Sequence, residues 1–166
     1  MIPEVFTERL VLRPFRLADL DAWAAIVADP EVMTYIGTGG PVERDVAWRQ
    51  LAFHLGEWAL RGRGSWAVER RSDGALIGRT GFLEPLGWPG EELAWMFGRA
   101  AWGQGYATEA TAAARDFGRR HLGAGPLISM IRPANAPSRR LAERLGAVDG
   151  GTIEFLGGAA HVYRHP

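Results

Sequence analysis

The sequence predicts one mixed α/β (α+β) domain over residues 1–166, with a mixed sheet and about four helices packed on it. A length of 166 residues and a hydrophobic content of 47% are enough for one substantial core. Segments typical of strands alternate with segments of helical periodicity, in the order strand, two helices, three strands, helix, strand, helix and two strands. No repeat, low-complexity tract or linker divides the chain, so we expect a single domain.

The first third is predicted to hold one strand and two helices. RLVLRPF (9–15) is typical of a strand, and Asp19 is expected to cap a first helix that ends at Asp29-Pro30. The second helix carries the clearest apolar stripe of the chain and is closed by Gly62 and Gly64. The members of this stripe are Trp48, Leu51, Ala52, Leu55, Trp58 and Ala59.

The remainder is predicted to hold six strands and two helices. SWAVERR and ALIGRTGFLE flank Ser72-Asp73-Gly74, where the Asp-Gly pair favours a hairpin. ELAWMFG (92–98) alternates as a strand does, and the helix after it is expected to run to about Leu122. PLISMIR is typical of a buried strand. A short helix is expected over 137–145 and is stopped by Gly146. The sequence closes with a pair of strands, TIEFL and HVYRH.

Composition excludes several classes of function. The 19 basic residues balance the 19 acidic ones, which gives no support for nucleic acid or an anionic membrane as a partner. Cysteine is absent, so disulfides, thiolate metal sites and a cysteine nucleophile are excluded. MIPEVFTERL lacks the pattern of a signal peptide, and no apolar run is long enough to span a bilayer. We therefore expect a cytoplasmic protein.

One stretch, WGQGYATEA (102–110), joins a strand to a helix through Gly-x-Gly. Such a junction leaves backbone N–H groups free at the positive end of the helix dipole, which favours a phosphate group. The Gly-Lys-Ser/Thr of a Walker loop is missing, and a dinucleotide fingerprint would need glycine where Thr108 stands. An isolated Gly-x-Gly is more often a tight turn without a ligand, so the stretch alone leaves the choice open.

Four segments in register resemble the GNAT N-acetyltransferase superfamily, and within it the Rim-type branch that is named for ribosomal-protein acetylation. They are TERLVLRPF, ADPEVMTYIG, ELAWMFGRAAWGQGYATEA and NAPSRRLAERLGA. The resemblance covers nearly the whole chain. It implies a mixed, mostly antiparallel sheet whose central strands splay apart.

The resemblance also implies a site for acetyl-CoA as co-substrate. The loop amides that would hold its pyrophosphate belong to Gly103, Gln104, Gly105, Tyr106, Ala107 and Thr108. The strand backbone at Trp95, Met96 and Phe97 would pair with the pantetheine amides, as an added strand would. Trp102 stands where the wider superfamily usually has Gln or Arg, although many Rim-type sequences share the tryptophan.

Acetyl transfer by direct attack needs a base for the amine, and Glu92 is our candidate. Its place in ELAWMFG matches the family segment that brings a carboxylate near the acceptor. A strand-end charge beside Glu91 is the competing interpretation, and Glu84 is the reserve candidate for the base.

The proton donor for the leaving thiolate is harder to assign. Many family members place a tyrosine where this chain has Ala142, so the usual donor is absent. Ser138, one turn earlier, either hydrogen-bonds near the thiolate or caps its own helix. Asn135 is expected to contact the pantetheine arm or to act as a turn residue, and Arg139 to meet a CoA phosphate.

No metal site is expected, because the four histidines show no ligand spacing. Trp88, in a loop, either lines the acceptor site or plugs the surface. The predicted function is acetyl transfer from acetyl-CoA to a primary amine, at a protein N-terminus or on a small molecule, by a monomer or homodimer. A catalytically silent acyl-CoA-binding module and a nucleotide-binding protein are the alternatives.

Overall fold

The computed structural model describes residues 1–166 as eight strands and five helices. The strands are β1 (Val5–Phe6), β2 (Leu10–Arg13), β3 (Ser65–Arg70), β4 (Leu76–Leu83), β5 (Glu91–Phe97), β6 (Leu127–Ile131), β7 (Val148–Phe155) and β8 (Gly158–Arg164). The helices are α1 (Leu20–Val27), α2 (Pro30–Met33), α3 (Arg44–Arg61), α4 (Tyr106–His121) and α5 (Ala136–Arg144). The predicted order is therefore confirmed, with the short β1 and α2 added.

All strands lie in one sheet, in the order β1-β2-β3-β4-β5-β6-β8-β7. Every neighbouring pair is antiparallel except β5 and β6, which are parallel. That parallel pairing holds only at Glu91 with Leu127 and at Glu92 with Ile128, after which the two strands separate. The mostly antiparallel sheet with splayed central strands is thus confirmed, and the separation opens a cleft in the middle of the sheet.

Two hydrophobic clusters cover the two faces of the sheet. On one face, Trp66, Phe82 and Leu93 pack with Ala110 and Ala114 of α4. A buried hydrogen bond of 3.0 Å between the hydroxyls of Thr80 and Thr111 ties that helix to the sheet. On the other face, α1 and α3 contribute Trp23, Val27, Ala47 and Leu51, which pack against Met96. Helix α4 is thereby fixed across β4 and β5, on one side of the cleft.

The apolar stripe predicted for α3 is wrong in its phase. Leu51 and Trp58 are buried as expected, but Trp48 is 52% exposed and Leu55 is exposed as well. The buried face instead includes His54, which stacks on Phe15 with ring centroids 5.3 Å apart. Because polar residues occupy part of the inward face, only part of the predicted apolar stripe is buried and the rest of it faces outward.

The predicted cap of α1 is right in position, since Asp19 stands at the N-cap, but it makes no capping hydrogen bond. Asp19 makes no side-chain bond to the helix. Its carboxylate accepts two hydrogen bonds of 2.8 Å from the buried Arg13 and one of 2.7 Å from the backbone N–H of Arg16. Asp29 is a true cap, since its side chain accepts from the N–H of Glu31 and so begins α2 at Pro30.

Candidate active site

The loop before α4 presents six consecutive free backbone donors. None of the N–H groups from Gly103 to Thr108 donates a hydrogen bond within the protein. Four free donors are normal at a helix start, and here the two preceding residues extend the row. Gly103 and Gly105 have φ of 72° and 80°, a left-handed conformation that favours glycine. The loop is therefore built to offer main-chain donors to an anion.

Arg9 holds this loop from the side of β2. Its Nη1 donates a hydrogen bond of 2.9 Å to the carbonyl of Gln104, and its Nε donates one of 2.7 Å to the carboxylate of Glu109 in α4. The guanidinium lies 4.5 Å from the ring centre of Tyr106. The side chain of Gln104 turns back to the carbonyl of Ala100 at 2.7 Å. The side chains of Gln104 and Tyr106 thus support the loop, while their N–H groups remain available to a ligand.

A groove of about 490 Å³ runs from this loop along β5 to α5. Most of the cofactor-site residues predicted from sequence line it together. These are Trp95, Met96, Phe97, Gly103, Gly105, Ala107, Thr108, Asn135 and Ser138, with Trp102 beside them. The indole of Trp102 donates 2.8 Å to the carbonyl of Phe97 and so ties the loop to the end of β5.

Arg139 lies outside the groove. Its Nε donates 3.1 Å to the hydroxyl of Tyr163, and its Nη1 donates to the carbonyl of Pro133. Arg144, which sequence reasoning missed, lines the groove instead. Helix α5 is short, and a difference of five positions turns the side chain to a different face. The spacing of Arg144 from Pro137 and Leu141, which also line the groove, is the signal that could have found it.

A second cavity, of about 240 Å³, meets the groove at Trp95, Asn135 and Ser138. It lies in the cleft between β5 and β6, and Glu92 forms part of its wall. The groove and the cavity therefore adjoin, with shared lining residues, at the place where the central strands have separated.

Glu92 is held at the point of the splay. Its Oε1 accepts a hydrogen bond of 3.2 Å from the backbone N–H of Met130 in β6. Its Oε2 accepts a hydrogen bond of 2.9 Å from the indole N–H of Trp88. The hydroxyl of Ser129 likewise donates 2.6 Å to the carbonyl of Leu93. Side chains thus replace ladder bonds between the diverging strands. Burial raises the pKa of Glu92, although both hydrogen bonds and the charge of Arg79 oppose the shift.

The reserve carboxylate, Glu84, is engaged elsewhere. It is ion-paired with Arg61 of α3 and does not line the cavity. Trp88 lines the cavity and packs edge-on against Phe155, with ring centroids 4.8 Å apart. Trp88 therefore forms part of the cavity wall, and its role towards an acceptor stays a prediction.

Ser138 and Asn135 lie where groove and cavity meet. The hydroxyl of Ser138 accepts 3.2 Å from the indole of Trp95. Asn135, not Ser138, caps α5, because its side chain accepts from the N–H of Ser138 at 3.3 Å. The serine hydroxyl keeps its own proton free to donate. Ala142 is fully buried and offers no such group.

Sequence reasoning gave no role to Arg79, which lines the cavity from β4. It is 8% exposed, and its Nε and Nη1 have no hydrogen-bond partner. Burial lowers the pKa of Arg79 to about 10, and the charge of Glu92 opposes the shift. An arginine between the buried Ile77 and Leu83 on a central strand was the signal available from sequence.

No group of three or more histidine, cysteine, aspartate or glutamate side chains is arranged to hold a metal ion. None of the helices combines the length and the apolar character that crossing a membrane requires.

Comparison with known proteins gives consistent matches along the chain. A family model described as the acetyltransferase (GNAT) domain matches residues 9–148. YnaD, an uncharacterised N-acetyltransferase of Bacillus subtilis (strain 168), is 30% identical over 142 residues, which are 86% of this chain and 81% of that protein.

Solved structures agree with the sequence matches. An acetyltransferase from Agrobacterium tumefaciens str. C58 has a TM-score of 0.87 at 32% identity, over 100% of this chain and 95% of that one. RimL, a ribosomal L7/L12 alpha-N-protein acetyltransferase, has a TM-score of 0.81 at 15% identity, over 98% and 93%. At 15% identity the likeness to RimL concerns the fold alone.

Proposed function

The chain belongs to the GNAT acetyltransferase family, and we propose that it transfers the acetyl group of acetyl-CoA to a primary amine by direct attack. The observation that carries this proposal is the row of six free N–H groups at the head of a groove that leads to Glu92. We also infer that it is of the Rim type, as its motifs suggest.

The coenzyme would lie along the groove with its diphosphate on the N–H groups of residues 103–108. Its pantetheine arm would follow the edge of β5 at Trp95–Phe97, where β6 no longer pairs with β5. Arg144 replaces Arg139 as the arginine that would meet a CoA phosphate, because Arg144 lines the groove. The thioester would then reach Ser138, where groove and cavity meet.

In the reaction, the amine nitrogen attacks the thioester carbonyl, a C–N bond forms and the C–S bond breaks. Glu92, directly or through a water, takes the proton that the amine loses, and its raised pKa makes it a stronger base than an ordinary carboxylate. The CoA sulfur leaves as a thiolate and takes a proton through the hydroxyl of Ser138, the nearest candidate donor, which regains its proton from water. The Trp95 indole would hold that hydroxyl in place.

The test is the release of free CoA thiol when the protein is mixed with acetyl-CoA and a panel of primary amines. An acetyltransferase releases thiol in proportion to the acetylated amine. A silent acyl-CoA-binding module would bind acetyl-CoA by calorimetry and release none, and that result would refute the enzymatic proposal. If NAD or ATP raised the melting temperature more than acetyl-CoA did, the assignment of acetyl-CoA as the co-substrate would be wrong.

A further inference from the structure

Arg79 is a buried cation without a protein partner. It lies in the middle of β4, is 8% exposed, and forms no ion pair within 4 Å. Two of its three nitrogen atoms, Nε and Nη1, are buried with no acceptor, and the side chain lines the cavity beside Glu92. A buried charge is normally paired, so these free donors point to a partner that comes from outside.

The other charged groups of the cavity are already engaged. The guanidinium of Arg132 is occupied by hydrogen bonds to four backbone carbonyls at the edge of the cavity, those of Gly37, Phe155, Leu156 and Ala159. Both oxygens of Glu92 accept hydrogen bonds, from Trp88 and Met130. His54, the titratable group near Arg79 on α3, is kept uncharged because burial lowers its pKa well below the ordinary value. No carboxylate of the protein therefore forms an ion pair with Arg79, although the charge of Glu92 acts on it.

We propose that Arg79 binds a carboxylate of the acceptor, and that the acceptor is a free α-amino acid. This inference rests on the proposed acetyl transfer. A guanidinium offers two parallel N–H donors that match the two oxygens of a carboxylate. With Arg79 and Glu92 in one wall, the cavity presents a cation for the carboxylate and a base for the amine of the same molecule. A cavity of about 240 Å³ suits a small molecule of this kind.

The experiment compares each common L-amino acid with its amide, which keeps the amine and side chain but cancels the negative charge. Thiol release from acetyl-CoA gives kcat/KM for wild type, Arg79→Gln and the control Arg49→Gln, an exposed arginine of α3 paired with Asp45. We expect the best amino acid to exceed its amide by about 10-fold or more in wild type and in the control. In Arg79→Gln the ratio of kcat/KM for the acid to that for its amide should fall to about one, because any change in Glu92 caused by the lost charge acts on both substrates alike.

Equal rates for acid and amide in wild type would overturn the proposal, as would an unchanged ratio in Arg79→Gln. Dipeptide amides with an acidic second residue form a further arm. If they exceed every free amino acid, the carboxylate belongs to a peptide and the assignment to amino acids is wrong. Thermal unfolding of each variant verifies that it is folded.

A binding measurement separates this inference from the proposed function. N-acetyl-amino acids and their amides, the products of the reaction, are titrated by calorimetry into wild type and Arg79→Gln. If no amine releases thiol but the N-acetyl acids bind through Arg79, the carboxylate subsite stands and the enzymatic proposal fails. If neither turnover nor Arg79-dependent binding is seen, both are wrong.

Discussion

Gly103→Ala tests whether the loop before α4 binds the coenzyme, and Gly62→Ala is its matched control. Both glycines have φ of 72°, both are exposed, and a Cβ at either would meet no atom within 4 Å. Gly62 ends α3 and lines neither the groove nor the cavity. The two substitutions therefore carry the same backbone strain and differ only in their distance from the groove.

The magnitude follows from the conformation and the donors. Alanine in the left-handed region should lower the free energy of unfolding by about 1–2 kcal/mol in both variants. At Gly103 the methyl group would also stand where a phosphate approaches, and would displace it from at least one N–H group. A hydrogen bond to a charged group contributes about 1.5–3 kcal/mol, which corresponds to a loss of affinity of roughly 10- to 100-fold.

Urea unfolding measures the first effect and calorimetric titration with acetyl-CoA the second. We expect equal losses of stability in the two variants and a loss of affinity in Gly103→Ala alone. Equal affinity for acetyl-CoA in both variants would refute the assignment of the loop. Gly105→Ala is a less clean variant, because its Cβ would lie 3.4 Å from Nη2 of Arg9.

Three other substitutions test the base, the buried charge and the packing. Because burial raises the pKa of Glu92, kcat/KM of the wild type should fall as the pH drops through that raised value. Glu92→Gln should lower kcat/KM by about 10²-fold and remove this pH dependence. A variant that keeps the wild-type pH–rate profile would exclude Glu92 as the base. Arg79→Met should raise the free energy of unfolding at pH 7 by about 3 kcal/mol. Burial lowers the pKa of Arg79 to about 10, so folding disfavours the charged side chain at every pH below that value, and methionine carries no charge. A lower free energy of unfolding in urea would contradict this prediction. Gly118→Ala should lower the free energy of unfolding by about 1–3 kcal/mol, because its Cβ would come within 2.1 Å of Phe82. The control Gly56→Ala, whose Cβ would stand in open space, should leave the free energy of unfolding unchanged or raise it. Equal melting temperatures for the two variants would contradict the close packing at Gly118.

The order of elements could be predicted from sequence because local signals agree with the fold. The Asp73-Gly74 turn, the glycines that end the helices and the alternation in β5 all lie where the structure needs them. The face of α3 could not be predicted, because its inward side includes the polar His54 while Trp48 and Leu60 face outward. Hydrophobicity alone then points the helix in the wrong direction.

The candidate site was predictable where it depends on the main chain. The free N–H groups of the loop follow from Gly-x-Gly at a helix start, and their number needs only the local conformation. The partners of Glu92 needed tertiary structure, since Trp88 comes from a loop and Met130 from a strand that has just left β5. Arg79 was missed because the absence of a partner cannot be seen in a sequence.

The most direct test of this account is a crystal structure of the protein with CoA. We predict diphosphate oxygens about 3 Å from the backbone nitrogens of Gly103–Thr108, and the thiol beside Ser138 at the mouth of the cavity that holds Glu92. A diphosphate bound elsewhere, or a thiol end remote from Glu92, would contradict the proposed function.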